Sequence, residues 1–170
     1  KLLQDKIELH PYSSFSTLLS QFPADTVRVV SKNKITVRDY MALDTPGVRF
    51  IEDPILGGTV NYYKSIKNNW EKDGFCKAFI LDGVAWCKVL KFIDDSLAQG
   101  ATLTEWEIGC KFAEFRALSE YYRGESFEPI VAFGPAGALP HYSATKESSQ
   151  IIGSGNFLLM DTGGQYIFGT

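Results

Sequence analysis

Along the chain, the spacing of apolar positions follows three patterns in turn, and each predicts a different organisation. From Lys1 to Asp53 the apolar runs are short and separated by turn residues. Pro11 and the serines at 13, 14 and 16 open a helix through Leu18 and Leu19, which closes near Phe22-Pro23. Val27-Arg28-Val29-Val30 reads as a strand, Thr36 to Leu43 as a short helix, and Val48-Arg49-Phe50-Ile51 as a second strand. This is an α/β alternation. Asp53-Pro54-Ile55-Leu56-Gly57-Gly58 interrupts both periods and marks a boundary, which assigns 1–56 to one domain and 57–170 to the next.

Beyond the boundary the period becomes helical. Ile66, Trp70, Phe79, Ile80, Val84, Cys87, Leu90 and Leu97 recur at helical spacing from Ser65 to Gln99, and Gly100 follows where a C-terminal cap belongs. Gly74 and Gly83 interrupt that pattern, and either could let another backbone approach closely. Thr104-Glu105-Trp106-Glu107 has the form of a capping box opening the next helix, with Leu103 and Ile108 placed as a hydrophobic staple. Ile108, Phe112, Phe115, Leu118 and Tyr122 continue its buried stripe. Glu105 and Glu107 do not face each other on a helix, and read as capping and dipole partners rather than as a catalytic pair.

The last third reads as strand. Pro129 to Phe133 is apolar and leads into the loop Gly134-Pro135-Ala136-Gly137. Phe157-Leu158-Leu159-Met160 ends on Asp161, turns through Thr162-Gly163-Gly164, and resumes as Gln165-Tyr166-Ile167-Phe168. The expected result is a hairpin. Asp161 has two readings. Its side chain can close the turn on its own backbone, or it can bind a metal ion, with a second acidic or His ligand on the partner strand.

Composition adds mainly exclusions. The 170 residues are 45% hydrophobic, enough for a sizeable core, and carry a formal charge of −3. With a pI near 5.4 there is no basic footprint for nucleic acid or an anionic membrane surface. No apolar run reaches the length of a membrane span. Cys76, Cys87 and Cys110 have no C-x-x-C spacing, which favours reduced thiols and a cytoplasmic setting. His10 sits at a Pro turn, as a solvated or capping histidine does. Lys64, Lys67, Lys72, Glu71 and Asp73 read as a solvated helix face. The chain opens on Lys1 and is expected to be a piece of a longer polypeptide.

The string FLLMDTGGQYIFGT, preceded by Gly134-Pro135-Ala136-Gly137-Ala138-Leu139-Pro140-His141-Tyr142, resembles the catalytic domain of aminopeptidase P, the Xaa-Pro aminopeptidase of the pita-bread metallopeptidase superfamily. Ser65-Ile66-Lys67-Asn68, with Glu71 and Gly74, is similar to that domain's K-N-x-x-E-x-x-G opening. The resemblance implies an α/β (α+β) fold, in which the tail of an α/β non-catalytic domain is followed by the N-terminal part of a pita-bread catalytic domain. It implies a metal-dependent hydrolase that releases the N-terminal residue of peptides with proline second. Two divalent ions are implied, Mn²⁺ first, with Zn²⁺ or Co²⁺ as alternatives. Their ligands would be two Asp, one His and two Glu, of which Asp161 alone falls within this chain. By the same resemblance His141 is the catalytic and substrate-binding histidine that hydrogen-bonds the scissile peptide, and Phe127 lines the substrate pocket. Expected partners are Xaa-Pro peptides and neither nucleic acid nor membrane; a homodimer stays open. The residues 1–170 by themselves are expected to be inert. The alternative is a catalytically inactive pita-bread domain that binds peptides or proteins, and creatinase or prolidase chemistry is a third reading on the same scaffold.

Overall fold

The computed structural model describes residues 7–31, 33–55 and 57–170. It divides into two compact units, Lys1–Ile66 and Lys67–Thr170. The division follows Ile66, whereas the sequence boundary falls at Leu56, a residue outside the described ones.

The first unit alternates helix and strand. Helix α1 (Phe15–Ser20) precedes strand β1 (Val27–Val30), helix α2 (Val37–Leu43) precedes strand β2 (Arg49–Glu52), and β1 and β2 pair in parallel. Thr36 caps α2, its side chain accepting from the Asp39 N–H. Helix α3 (Thr59–Ser65) closes the unit. Asp53 organises its start by accepting from the N–H groups of Ile55 and Thr59, at 3.0 and 2.7 Å, and from the Thr59 hydroxyl at 2.7 Å. The Thr59 and Ile55 amides hold the Asp53 carboxyl below the usual carboxylate range.

The second unit is built on two helices. Helix α4 (Asn69–Ala98) starts one turn later than the periodicity suggests. Ile66 is extended, and Asn68 caps α4 in a reciprocal box with Glu71. Helix α5 (Glu105–Arg116) opens on the box read in the sequence: Thr104 accepts from the Glu107 N–H and Glu107 accepts from the Thr104 N–H. Leu103 and Ile108 are both buried in one cluster with Val89, Ile93, Phe112, Val131 and Ile152. Tyr122, assigned by periodicity to the stripe of this helix, instead begins strand β3 (Tyr122–Glu125), because α5 ends at Arg116 and a turn brings the Tyr122 N–H to the Ser119 carbonyl.

Two features depart from what the local pattern of apolar positions conveys. The first is the face that α4 buries. Its buried residues are Gly74, Ala78, Ala85, Val89 and Ile93, while Trp70 and Phe79 are 70% and 72% exposed and Ile80 and Val84 are exposed as well. From Gly74 to Ala85 the buried positions of α4 are all small, and beyond them Val89 and Ile93 enter the core cluster. A Cβ on Gly74 would meet the Phe168 carbonyl oxygen at 2.4 Å, so only glycine fits there, whereas Gly83 meets nothing within 4 Å. The second is the hairpin. Strand β4 (Ile130–Phe133) pairs antiparallel with β5 (Leu158–Asp161), and β3 pairs antiparallel with β6 (Gly164–Tyr166). Strands β5 and β6 follow each other in sequence but join different sheets. Each finds in an upstream strand a partner that also completes the core: β4 lays Val131 against α5, and β3 brings Glu125 to Arg116.

Candidate active site

The sequence points to three residues, and the second unit carries two of them, His141 and Asp161, on two segments, each gripped by one end of α5. The first segment carries His141. It leaves β4 through a short 3₁₀ turn (Gly134–Ala138) and returns to the start of α5 near Gln150. His141 itself is exposed and has φ +55°, the one non-glycine residue with a positive φ among the described residues. That conformation is disfavoured for a residue with a Cβ.

Glu105, the first residue of α5, is fully buried and holds this segment together. Its Oε1 accepts from the Phe133 N–H at 2.7 Å, and its Oε2 accepts from the Tyr142 hydroxyl at 2.8 Å and the Gln150 N–H at 2.9 Å. Three donors replace the water a buried carboxylate has lost, and the positive end of the helix dipole adds to them. The hydrogen bond to Glu105 raises the Tyr142 phenol above its ordinary range. Of the two glutamates, Glu107 is thus the one that joins Thr104 in the cap. The burial of Glu105 leaves no local signature, since its partners lie 28, 37 and 45 positions away.

The second segment is Asp161 to Gly164. Asp161 is exposed at the end of β5, opposite Ile130. Strand β4 reads Ile-Val-Ala-Phe and offers neither carboxylate nor imidazole, so the partner strand supplies no second ligand. Among the described residues no three His, Cys, Asp or Glu side chains gather to hold a metal ion. Asp161 fits as one hard oxygen ligand of such a group, and the remaining ligands of a dinuclear site are not assembled by these residues.

Behind Asp161 sits a buried charge network. Arg116, the last residue of α5, is 1% exposed. Its Nε donates to Asp82 Oδ1 at 2.7 Å, and its Nη1 donates to Thr162 Oγ1 at 2.7 Å and to Glu125 Oε2. The Thr162 hydroxyl donates to Glu125 at 3.3 Å, the Tyr122 hydroxyl to Glu125 at 2.6 Å, and the Tyr166 hydroxyl to Asp82 at 3.2 Å. Burial, followed by the negative charge of Asp82, pushes the Tyr166 phenol up to about 12. Burial and the bond to Glu125 push Tyr122 up as well. The network fixes the residue that follows Asp161. No sequence pattern announces it, because Asp82, Arg116, Glu125 and Thr162 come from four different elements or turns.

Phe127 belongs to this second segment's surroundings. With Thr162, Gly163, Ser126, Phe79 and Asp82 it lines an apolar cavity of about 410 Å³. A Cβ on Gly163 would press on Ser126 Oγ at 3.3 Å and stand in ordinary contact, 3.6 Å, with the Phe127 ring, so the turn runs beside both residues. Phe127 and the turn after Asp161 are therefore together, whereas His141 is carried by the other segment.

Residues 74–169 match the profile of metallopeptidase family M24, a stretch that includes Phe127, His141 and Asp161. The chain belongs to metallopeptidase family M24. Across 107 residues this M24 chain is 38% identical to Xaa-Pro aminopeptidase ApepP of Drosophila melanogaster, which covers 63% of the chain and 18% of the fly protein. It is 31% identical to a probable Xaa-Pro aminopeptidase P of Arthroderma gypseum over all of the chain and 28% of the fungal protein. The M24 chain thus spans about a fifth to a quarter of the length of the curated relatives it matches. The crystal structure of X-prolyl aminopeptidase from Caenorhabditis elegans, described as a cytosolic enzyme with a di-nuclear active site, superposes with a TM-score of 0.74 at 23% identity, covering 92% of this chain and 26% of the worm chain. That likeness carries the fold, and with it the pita-bread architecture expected from the sequence.

Proposed function

We propose that this M24 chain is part of a metal-dependent aminopeptidase of the aminopeptidase P type, which releases the N-terminal residue of peptides with proline in second position. The observation that carries this reading is the apolar cavity shared by the Phe127 ring and the turn following Asp161. An apolar wall beside a candidate metal ligand suits a prolyl side chain held near the reacting bond. Asp161 serves as one ligand of a pair of divalent ions, with Mn²⁺ the first candidate. Such a pair supplies a nucleophile at neutral pH and a clamp on the carbonyl. His141 hydrogen-bonds the scissile peptide and helps stabilise or protonate the tetrahedral intermediate, as a positioned general acid does. Phe127 lines the substrate pocket. The residues 1–56 are the end of a non-catalytic domain, the peptidase domain occupies 57–170 and continues with the other ligands, and the enzyme works in the cytoplasm.

The test uses the full-length polypeptide that contains this chain. Hydrolysis of an Xaa-Pro-Xaa tripeptide is compared with that of its Xaa-Ala-Xaa counterpart, after chelation and again after Mn²⁺ is restored. Cleavage confined to the proline peptide, lost on chelation and regained with metal, is the expected result. A folded, metal-supplied protein that cleaves neither peptide would overturn the reading in favour of a peptide-binding module.

A further inference from the structure

The segment from Phe133 to Gln150 meets Glu105 at three points: its entry, its interior and its exit. The Phe133 N–H marks the entry, Tyr142 the interior and the Gln150 N–H the exit, and all three donate to the one carboxylate. The exit is secured by other bonds as well. The Glu105 N–H donates to the Gln150 carbonyl at 3.1 Å, the Trp106 N–H to Ser149 Oγ at 2.9 Å, and the Ile152 N–H to the Leu103 carbonyl at 2.8 Å. The entry is held by β4 and by the Gly134 N–H, which donates to the Phe157 carbonyl at 2.9 Å. The interior tie is different in kind, since it reaches the residue next to His141. His141 adopts a left-handed conformation that must be imposed by its surroundings, and the neighbour that can impose it is anchored through its hydroxyl to Glu105.

The choice of a carboxylate follows from the partners. Two amides and a phenol all donate, so the site needs acceptors only, and an ionised carboxylate offers nothing else. A glutamine of the same shape would have to turn its NH₂ group towards either the Phe133 N–H or the Gln150 N–H, setting donor against donor in a buried place.

We propose that Glu105 is a positioning residue for His141: through the Tyr142 hydroxyl its carboxylate sets where the imidazole stands relative to the scissile peptide bond. The proposal rests on the assignment of His141 as the group that contacts substrate. Glu105 touches neither substrate nor reacting atoms, and acts only through the segment it holds.

The decisive variant is Tyr142→Phe in the full-length, metal-loaded enzyme, because it removes one hydroxyl and keeps the ring. The expected result is a fall in kcat of about tenfold to a hundredfold with KM nearly unchanged, the signature of a displaced group that acts in the transition state. Amide hydrogen exchange across residues 135–148 should accelerate in the same variant while the melting temperature stays close to that of the parent. Ile108→Val, which trims the core without touching the tie, should leave both kcat and that exchange unchanged. In a His141→Ala background, Tyr142→Phe should cost nothing more, since the two act as a unit. Glu105→Gln should exceed Tyr142→Phe in the same direction; if it does not fold, Tyr142→Phe still decides. If His141→Ala lowers kcat but Tyr142→Phe does not, or if the two losses multiply, the positioning role is overturned. If the enzyme cleaves Xaa-Pro peptides and His141→Ala is without effect, the role of His141 fails first and the positioning role with it. If the parent cleaves nothing, the aminopeptidase reading fails, and unchanged exchange across 135–148 in Tyr142→Phe then overturns the tie itself.

Discussion

The two ends of α5 solve one problem in opposite ways. At its first residue the helix buries a negative charge, Glu105, and at its last a positive one, Arg116. Both signs agree with the helix dipole. The partners differ. Glu105 is met by two backbone amides and a phenol, so no formal charge opposes it. Arg116 faces two carboxylates, Asp82 and Glu125, and Thr162. Backbone donors bind a loop to a helix at fixed points, whereas an ion network joins side chains from distant elements and depends on every member. At about 1.5 Å per residue, the eleven steps of α5 separate the two grips by roughly 16 Å. One helix thus sets the spacing between the segment of His141 and the segment of Asp161.

The largest expected effect comes from removing the cation. Arg116→Met leaves Asp82 and Glu125 without their partner, and stability in urea should fall by about 3–5 kcal/mol. Arg116→Lys should recover only part of that loss, because an ammonium cannot reproduce the fork that serves Asp82, Glu125 and Thr162 together. A loss no greater for Arg116→Met than for an ordinary surface substitution would remove the contrast between the two ends.

Alkaline titration probes the same end more gently. The raised phenols of Tyr166 and Tyr122 stay protonated in the folded protein at a pH where the unfolded chain has begun to ionise. Their contribution is therefore complete below about pH 10, the ordinary tyrosine value, and declines as pH rises towards the Tyr166 value of about 12. Denaturation midpoints measured across that window should fall, and should fall less steeply in Tyr166→Phe.

Gly164 presses on the network sterically. A Cβ there would stand 3.0 and 3.1 Å from Arg116 Cδ and Nε and 3.1 Å from Asp82 Oδ1, all held by the ion pairs. Gly164→Ala should cost about 1–3 kcal/mol by thermal or chemical unfolding. The smallest effect belongs to the other end. Thr104→Ala removes the cap oxygen that accepts from Glu107 but leaves the bonds of Glu105 in place, and about 1 kcal/mol is expected from the same measurement. A Thr104→Ala loss as large as that of Gly164→Ala would mean that the cap and the Glu105 grip are one device.

What the sequence by itself determined is whatever depends on neighbours a few residues apart. The Thr104 capping box, the staple of Leu103 and Ile108, the strands of 27–30 and 130–133, and the run ending at Asp161 all appear where local chemistry puts them. The motifs around His141 and Asp161 carried the family for the same reason: they are short strings. The tertiary structure alone decided which strand pairs with which, because β5 and β6 gain more by completing two separate sheets than by pairing with each other. It alone decided the face of α4, where Gly74, Ala78 and Ala85 went inward with Val89 and Ile93 while Trp70 and Phe79 stayed out. It alone decided that Glu105 and Arg116 are buried. A charge can leave water only where distant donors or counter-charges converge on it, and that convergence exists only once the chain has folded.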